Sequence, residues 1–268
     1  MSKTATHGEE GSTYAHGAFD AEALAAIKDG RTVSVCIPAR NEAATIGPIV
    51  RTIVTELTRA GGGIPLVDEV VVVDDGSTDG TGEIARSAGA RVVTSDTPSG
   101  GKGQAMRVAL REAECDLLAF VDGDVTNFGP YFVTGLLGPL LTDDTVTVVK
   151  GFYERPLHGD PDGGGRVTEL MARPVIDLLF PALSMVRQPL AGETAAPRWV
   201  LEKCTLADGY AVELALLIDV ASYFGVETIA QVDLGVRVHR NRPLSELRPQ
   251  ATDILAAALA RSPLLPGM

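Results

Sequence analysis

The chain has 268 residues, enough for one large domain, and its 23 basic and 35 acidic residues give a formal charge of −12. Such an acidic chain repels nucleic-acid phosphates and anionic membrane surfaces at long range, so we expect neither as a main partner. Hydrophobic residues make up 45% of the chain and charged residues 22%. These proportions are those of an average globular domain and exclude a disordered or fibrous chain.

The start of the chain and its cysteines indicate where the protein resides. Residues 1–17 are polar and mixed in charge, without the apolar stretch of a signal peptide, and no apolar run approaches the ~18 residues of a membrane span. Cys36, Cys115 and Cys204 share no CxxC spacing, and Cys36 lies in an apolar run, which favours reduced thiols. We therefore expect a cytoplasmic protein, with residues 1–30 as a flexible N-terminal leader.

From Thr32 onward, short runs of Val, Ile and Leu alternate with longer stretches of helical pattern. Strands buried on both faces read as continuous apolar runs, so the alternation predicts an α/β fold with a Rossmann-like, mostly parallel sheet. The predicted strands are residues 33–37, 69–73, 91–93, 117–121 and 146–149. The predicted crossover helices are residues 43–60, 81–88, 104–113 and 130–141.

The second half of the chain has a different composition. Residues 156–165 are rich in Pro, Gly and Asp, which favours a functional loop over a linker. Helical patterns follow at 167–179 and 211–224, with an irregular segment between them, and 229–238 is a predicted strand. The terminal helix at 255–261 carries no candidate catalytic or binding residue, and we expect it to pack on the rest of the domain or on a second subunit. The resulting division is a leader, two halves of one domain, and a C-terminal helix and tail, at 1–30, 31–153, 154–248 and 249–268.

Polar residues follow three of the predicted strands, at 38–42, 74–79 and 122–124. Ligands of open α/β sheets bind at the carboxyl ends of the strands, so these positions are candidates for a binding site. Each motif alone has a structural alternative, since Asn41 can cap the following helix and 77–79 can form a turn. Three such motifs in register indicate a ligand site.

The Asp122-Gly123-Asp124 triplet sets two carboxylates one residue apart at the end of an apolar strand. Hard oxygen ligands at this spacing suit Mg²⁺ or Mn²⁺ shared with a phosphate. Without a cation the carboxylates would repel a diphosphate, because unit charges ~4 Å apart interact by about 4 kcal/mol at an effective dielectric of ~20. The structural alternative is a tight turn built from Asp and Gly.

Lys102 lies between Gly101 and Gly103 at the start of a predicted helix. Helix amides and an ammonium group there point the same way and suit a phosphate or another anion. The segment lacks the glycine spacing of a P-loop, and Gln104 stands where Ser or Thr would follow the lysine. The segment therefore argues against a P-loop kinase.

Taken together, the three strand-end motifs resemble the GT-A fold of nucleotide-sugar-dependent glycosyltransferases. The second half resembles a narrower group, the glucosyl-3-phosphoglycerate synthase family, and the combined match runs from about Val33 to Leu247. The segments of the second half that carry this resemblance are 163–170 (GGGRVTEL), 188–193 (QPLAGE), 209–213 (GYAVE) and 238–243 (VHRNRP).

The resemblance implies transfer of glucose from UDP-glucose to the 2-hydroxyl of 3-phosphoglycerate, with retention of configuration, a Mg²⁺ or Mn²⁺ cofactor and a homodimer. It makes 31–153 the nucleotide-sugar half and 154–248 the half that binds the acceptor and completes the metal site. The implied donor-binding residues are Pro38, Ala39, Asn41, Glu42, Asp75, Lys102, Asp122, Gly123 and Arg237. The implied acceptor-binding residues are Gly165, Arg166, Thr168 and Asn241, and the implied metal ligands are Asp124 and His239. The implied catalytic groups are Asp124, Lys102, Glu213 and the backbone carbonyl of Leu190.

Two of these assignments also have physical support and a structural alternative. Arg166 enters a helix from a Gly-rich loop, an arrangement that offers amides and a bidentate guanidinium to an anion; the alternative is an ordinary surface arginine. Glu213 precedes an apolar helix face and is a candidate to bind the glucose or orient the reaction. It is equally typical of a helix N-terminal carboxylate.

The donor identity and the protein class each keep an alternative. Asp75 and Gly123 stand where serine is common in the family. A related branch transfers mannose from GDP-mannose to the same acceptor. Glucose and mannose differ at only one hydroxyl, and the sequence does not show which contact distinguishes them. A sugar-1-phosphate nucleotidyltransferase would carry a Gly-rich basic loop after its first strand, whereas 38–46 contains no glycine. The remaining alternative, a nucleotide-sugar-binding regulator without activity, would show binding without glycosyl transfer.

Overall fold

The computed structural model describes residues 12–95, 97, 100–155, 165–238 and 244–262, the last range with backbone alone at 244–246. Within them an eight-stranded sheet runs in the order β1-β8-β6-β7-β5-β2-β3-β4. The strands are β1 (Thr13–Ala15), β2 (Val33–Ala39), β3 (Glu69–Asp74), β4 (Arg91–Thr94), β5 (Leu117–Phe120), β6 (Val148–Glu154), β7 (Thr194–Pro197) and β8 (Ile229–Val236). All pair in parallel except β7, which is antiparallel to β5 and β6. The predicted mostly parallel α/β sheet is confirmed.

Helices cover both faces of this sheet. The α-helices of the described residues are α1 (Ala21–Ile27), α2 (Ile46–Leu57), α3 (Thr81–Ser87), α4 (Gly101–Glu112), α5 (Tyr131–Thr142), α6 (Arg173–Leu179), α7 (Arg198–Lys203), α8 (Val212–Phe224) and α9 (Leu244–Ala260). A π-helical turn, Thr168–Ala172, leads directly into α6. Such turns recur at functional sites because they displace side chains from the regular helical positions.

The side chains of β2 alternate between two core layers. Val35 and Ile37 pack in the layer that contains α2 and α5, and Cys36 packs in the layer that contains α4 and α8. All three are fully buried, and full burial of an aliphatic side chain stabilises the fold by ~1.5–3 kcal/mol. Burial on both faces explains the continuous apolar runs, and it holds the strand ends that carry the polar motifs rigidly in place.

Part of the predicted flexible leader is ordered instead. β1 pairs with β8 in the register Thr13 to Gln231, and α1 follows, with the Asp20 side chain accepting a hydrogen bond from the Ala23 amide at 2.9 Å. Phe19 packs so closely on Gly138 that a Cβ at Gly138 would overlap its ring. Long-range pairing therefore orders a segment whose own composition is polar.

Three other elements differ from the sequence expectation. β7 lies in the segment that was expected to be irregular. The sequence did not predict this strand, because Thr-Ala-Ala-Pro carries no apolar run and its pairing depends on distant strands. β6 begins at Val148 and extends to Glu154, well beyond the predicted 146–149. α9 begins at Leu244 and continues through Pro249, whereas the predicted helix began at 255; a proline inside a helix removes one backbone hydrogen bond and is an unfavourable signal for helix in a sequence.

Candidate functional site

A pocket of about 560 Å³ opens where the carboxyl ends of β2 and β5 meet the start of α4. It collects the predicted residues from both halves of the chain. The predicted site residues that line it are Pro38, Ala39, Asn41, Glu42, Asp75, Lys102, Asp122, Gly123, Asp124, Gly165, Arg166, Thr168, Leu190, Glu213 and Arg237. The predicted metal ligand His239 and acceptor ligand Asn241 lie outside the described residues.

Hydrogen bonds join the loops after β2 and β3 into one wall of the pocket. Asn41 has a left-handed backbone with φ 57°, and its Oδ1 accepts a hydrogen bond from the Thr78 amide at 2.9 Å. Its own amide donates to Ser77 Oγ at 3.0 Å. Since α2 begins only at Ile46, the helix-capping alternative for Asn41 is wrong, and the residue holds two loops together.

Asp75 connects the end of β3 to the start of α4. Its two carboxylate oxygens accept hydrogen bonds from the amides of Gly100 at 3.1 Å and Gly101 at 3.0 Å. These amides lie at the N-terminus of α4, where a carboxylate also interacts favourably with the helix dipole. Asp75 therefore fixes the position from which Lys102 enters the pocket.

Lys102 lies between two carboxylates. Its Nζ is 2.6 Å from Asp122 Oδ1 and 2.8 Å from Glu213 Oε1. Burial lowers the pKa of Lys102, but the two carboxylates outweigh burial and raise the pKa above its ordinary value. Lys102 is therefore a fixed ammonium group at the centre of the pocket, and it connects the two halves of the chain.

Arg237, at the end of β8, is the second buried cation. Its Nη1 is 2.9 Å from Asp122 Oδ2 and 3.2 Å from Glu193 Oε1, and its Nη2 is 2.5 Å from Asp124 Oδ1. Burial raises the pKa of Asp122, yet Lys102 and Arg237 outweigh it and hold that pKa below its usual range. Burial raises the pKa of Glu193 despite the neighbouring guanidinium. The Asp122 carboxylate is thus charged and clamped between two cations.

Tyr153 connects the predicted donor side of the pocket to the predicted acceptor side. Its hydroxyl accepts hydrogen bonds from Arg237 Nη1 at 2.5 Å and Arg155 Nη2 at 2.9 Å, and both guanidinium groups lie over its ring. Burial raises the pKa of Tyr153 to about 12, so the phenol stays neutral. Arg155 and Thr168 both lie beside Gly165, which has φ 78°, and Arg155 adds positive charge to the predicted acceptor side.

The pocket carboxylates fit a divalent cation by their chemistry. Asp124 faces the pocket with 27% of its side chain exposed, and Asp122 lies beside it, so both offer hard oxygen atoms. Among the described residues no cluster of three or more His, Cys, Asp or Glu is placed to hold a metal ion. A third protein ligand would come from the predicted His239.

Sequence reasoning missed several residues of this site. Lys150 pairs with Glu213 at 2.8 Å, and a lysine inside the apolar run of β6 was a detectable signal, because lysine is almost never buried without a partner. Tyr153 and Arg155 carried no such signal. α9, of which only the part from 255 was predicted, and with only a packing role, brings three residues before that part to the pocket, Leu247, Gln250 and Ile254.

The open, mostly parallel sheet and the acidic and cationic pocket at its strand ends define a GT-A glycosyltransferase. Residues 34–179 match the model of the family named Glycosyl transferase family 2. The chain is 49% identical over 248 residues to glucosyl-3-phosphoglycerate synthase of Mycolicibacterium smegmatis, covering 89% of this chain and 80% of that one. The chain therefore belongs to the glycosyl transferase family 2 by its family model and to the glucosyl-3-phosphoglycerate synthase family by its relatives.

Solved structures of the Mycobacterium tuberculosis enzyme are similar throughout. Its complex with Mg²⁺ and UDP has a TM-score of 0.83 and 42% identity, covering 93% of this chain and 86% of that chain. Its complex with Mn²⁺, UDP-glucose and phosphoglyceric acid has a TM-score of 0.80 and 44% identity, covering 91% and 84%. The parts of this chain that the structure describes contain no helix long and apolar enough to cross a membrane.

Proposed function

We propose that this chain transfers glucose from UDP-glucose to the 2-hydroxyl of 3-phosphoglycerate, giving glucosyl-3-phosphoglycerate and UDP. The observation that carries the proposal is the single pocket that holds every described residue implied for donor, metal and acceptor. The similarity to a M. tuberculosis enzyme solved with UDP-glucose and phosphoglyceric acid supports the same substrates.

The donor belongs to the half at 31–153. The loops after β2 and β3 receive the uridine, and Lys102 faces the diphosphate. Negative charge develops on the diphosphate as it leaves carbon 1 of glucose, and a preorganised ammonium stabilises it without reorganisation. Asp124 and His239 would hold Mg²⁺ or Mn²⁺, which supplies further charge stabilisation to the leaving group when bound. Arg237 holds Asp122 and Asp124 in place for this role.

The acceptor belongs to the half at 154–248. Gly165, Arg166, Thr168 and Asn241 receive the anionic groups of 3-phosphoglycerate. The glucose lies between this subsite and the diphosphate, where Glu213 binds its hydroxyls. The acceptor oxygen forms its bond to carbon 1 on the face from which the diphosphate departs, so configuration is retained. The bonding electron pair leaves with UDP, and the acceptor proton passes to the departing phosphate oxygen while the Leu190 carbonyl orients the hydroxyl.

The test is product formation by the purified protein with UDP-glucose or GDP-mannose, each with 3-phosphoglycerate or glycerate, and with Mg²⁺ or a chelator. We expect chelator-sensitive transfer from UDP-glucose to 3-phosphoglycerate. Lys102→Met should lower kcat by about 10²–10³, the usual loss when one preorganised charge-stabilising group is removed. The matched control is Lys203→Met, which changes an exposed lysine packed on Tyr223 and Phe224.

Each outcome of this assay has a definite meaning. Preference for GDP-mannose would replace the donor and keep the acceptor. If folded, metal-loaded protein binds the donor but transfers nothing, the proposed enzymatic activity would be wrong and a nucleotide-sugar-binding regulator would be favoured.

We place the reaction in the cytoplasm because the three cysteines are free and buried, as expected in a reducing compartment. A homodimer agrees with the exposure of Leu170 and Leu178, and light scattering would test it.

A further inference from the structure

Lys150 is the most deeply buried cation of the site that the proposed mechanism leaves unused. It lies in the middle of β6 with 1% of its side chain exposed. All three hydrogens of its ammonium group have acceptors. These are Glu213 Oε2 at 2.8 Å, Thr194 Oγ1 at 2.9 Å and the carbonyl oxygen of Ala191.

The partners of Lys150 are the neighbours of the reacting groups. Glu213 is shared by two lysines, since its Oε1 faces Lys102 at 2.8 Å while its Oε2 is held by Lys150. The carbonyl of Ala191 follows directly after that of Leu190, the group assigned to the acceptor hydroxyl. Lys150 therefore fixes the carboxylate on the sugar side and the peptide segment on the acceptor side through one ammonium group.

The sheet sets this arrangement before any ligand binds. Lys150 and Thr194 are direct partners in the antiparallel pair of β6 and β7, and the amide of Gly151 donates to the carbonyl of Glu193 at 2.8 Å. A side chain held by three directed bonds in a dry, packed environment has little freedom to reorient. Sites that must position a sugar within a fraction of an ångström depend on such supporting residues.

We propose that Lys150 is a positioning residue that presets the glucose subsite by holding Glu213 and the Leu190–Ala191 segment in their working arrangement. The inference rests on the proposed function, in which Glu213 faces the glucose. Lys150 itself touches no substrate. Its removal should therefore weaken recognition of the sugar and leave recognition of the nucleotide unchanged.

The experiment compares the affinities of the full-length protein for UDP-glucose and for UDP, measured by calorimetry with saturating Mg²⁺. For Lys150→Met we expect about a tenfold loss for UDP-glucose, about 1.4 kcal/mol, and less than a twofold change for UDP. The matched control is Thr147→Val beside the start of β6, which removes the half-buried hydrogen bond to Thr228 at residues that do not line the pocket. Both of its affinities should equal those of the unchanged protein.

A second variant covers the case in which Lys150→Met does not fold. Thr194→Val removes one acceptor of Lys150 and keeps its buried ion pair, so we expect a folded protein with about a threefold loss for UDP-glucose alone. A double-variant cycle gives the sharpest test, because the loss of UDP-glucose affinity caused by Lys150→Met should be smaller when Glu213 is already Gln.

Results of three kinds would overturn the inference. These are equal losses for UDP-glucose and UDP, no loss for either in both variants, or the same loss in the Glu213→Gln background. The proposed function is judged separately, by transfer to 3-phosphoglycerate in the unchanged protein. If that transfer is absent, the ratio of the affinities for UDP-glucose and UDP still decides whether Lys150 presets the sugar subsite.

Discussion

Replacing Arg237 by Met tests whether the buried Glu193 carboxylate depends on this one cation. Asp122 would keep Lys102 at 2.6 Å, and Asp124 is partly exposed and can be hydrated. Glu193 has no exposed surface and loses its ion-pair partner among the described residues. Most of the loss in stability should therefore come from the unpaired Glu193 carboxylate.

The expected magnitude follows from that assignment. Removing one partner of a buried ion pair costs about 3–5 kcal/mol, because it leaves an uncompensated charge in a dry environment. We expect Arg237→Met to lower the free energy of unfolding by this amount. Adding Glu193→Gln removes the stranded charge and should restore at least about 2 kcal/mol, whereas Glu193→Gln alone should cost less, since Arg237 keeps Asp122 and Asp124.

Urea unfolding followed by circular dichroism at pH 7.5, without metal or nucleotide, measures all four proteins of this cycle. The slopes with denaturant should agree among them, so that shifts in midpoint report stability. Equal free energies of unfolding for Arg237→Met and the double variant would refute the reasoning, because Glu193 would then carry none of the cost.

Three further predictions concern the rest of the molecule. A Cβ at Gly192 would overlap Lys102 Nζ and the Asp122 carboxylate, so Gly192→Ala should lower kcat/KM at least about a hundredfold while circular dichroism shows a folded protein; near-normal turnover would contradict this. Burial raises the pKa of Glu69, but hydrogen bonds from a neighbouring serine and from Arg91 outweigh it and lower that pKa. The stabilisation from the Glu69 carboxylate is therefore present above the ordinary carboxyl pKa of about 4.3 and is lost as the pH falls through the lowered value. In urea unfolding, Glu69→Gln should lower the free energy of unfolding at pH 7 and lower it less at pH 3. An equal loss at both pH values would contradict this prediction. Burial raises the pKa of all three thiols, so a thiol reagent at pH 8 should label native protein far more slowly than unfolded protein, and equal rates would show an exposed thiol.

The strand-end motifs show how far local reasoning reached. Residues 38–42 and 122–124 follow apolar runs, and parallel strands place their carboxyl ends at one edge, so the sequence predicted that these motifs meet. The resemblance added 165–168 and Glu213, which the structure brings to the same pocket. No local pattern predicted that α9 would contribute Gln250, because its polar and apolar residues are those of an ordinary packing helix.

The ion pairs of the pocket were beyond sequence reasoning for a different reason. Lys150 and Glu213 are 63 residues apart, and Arg237 and Asp124 are 113 apart. Their pairing requires β7 to insert between β5 and β6 and β8 to lie beside β6. A carboxylate in a sequence shows that a charge is present, but only the neighbouring strands show which cation compensates it.

The amino-acid sequence by itself determined the layered α/β architecture and the edge of the sheet where the pocket opens. Alternating burial of apolar runs on two faces is a local property with a period of two residues, and it can be read from the chain. The tertiary structure decided the order of the strands, the clamping of Asp122 between Lys102 and Arg237, and the burial of Lys150 against Glu213. These depend on strand order and register between distant segments, where the low dielectric makes each pairing strong and each unpaired charge costly.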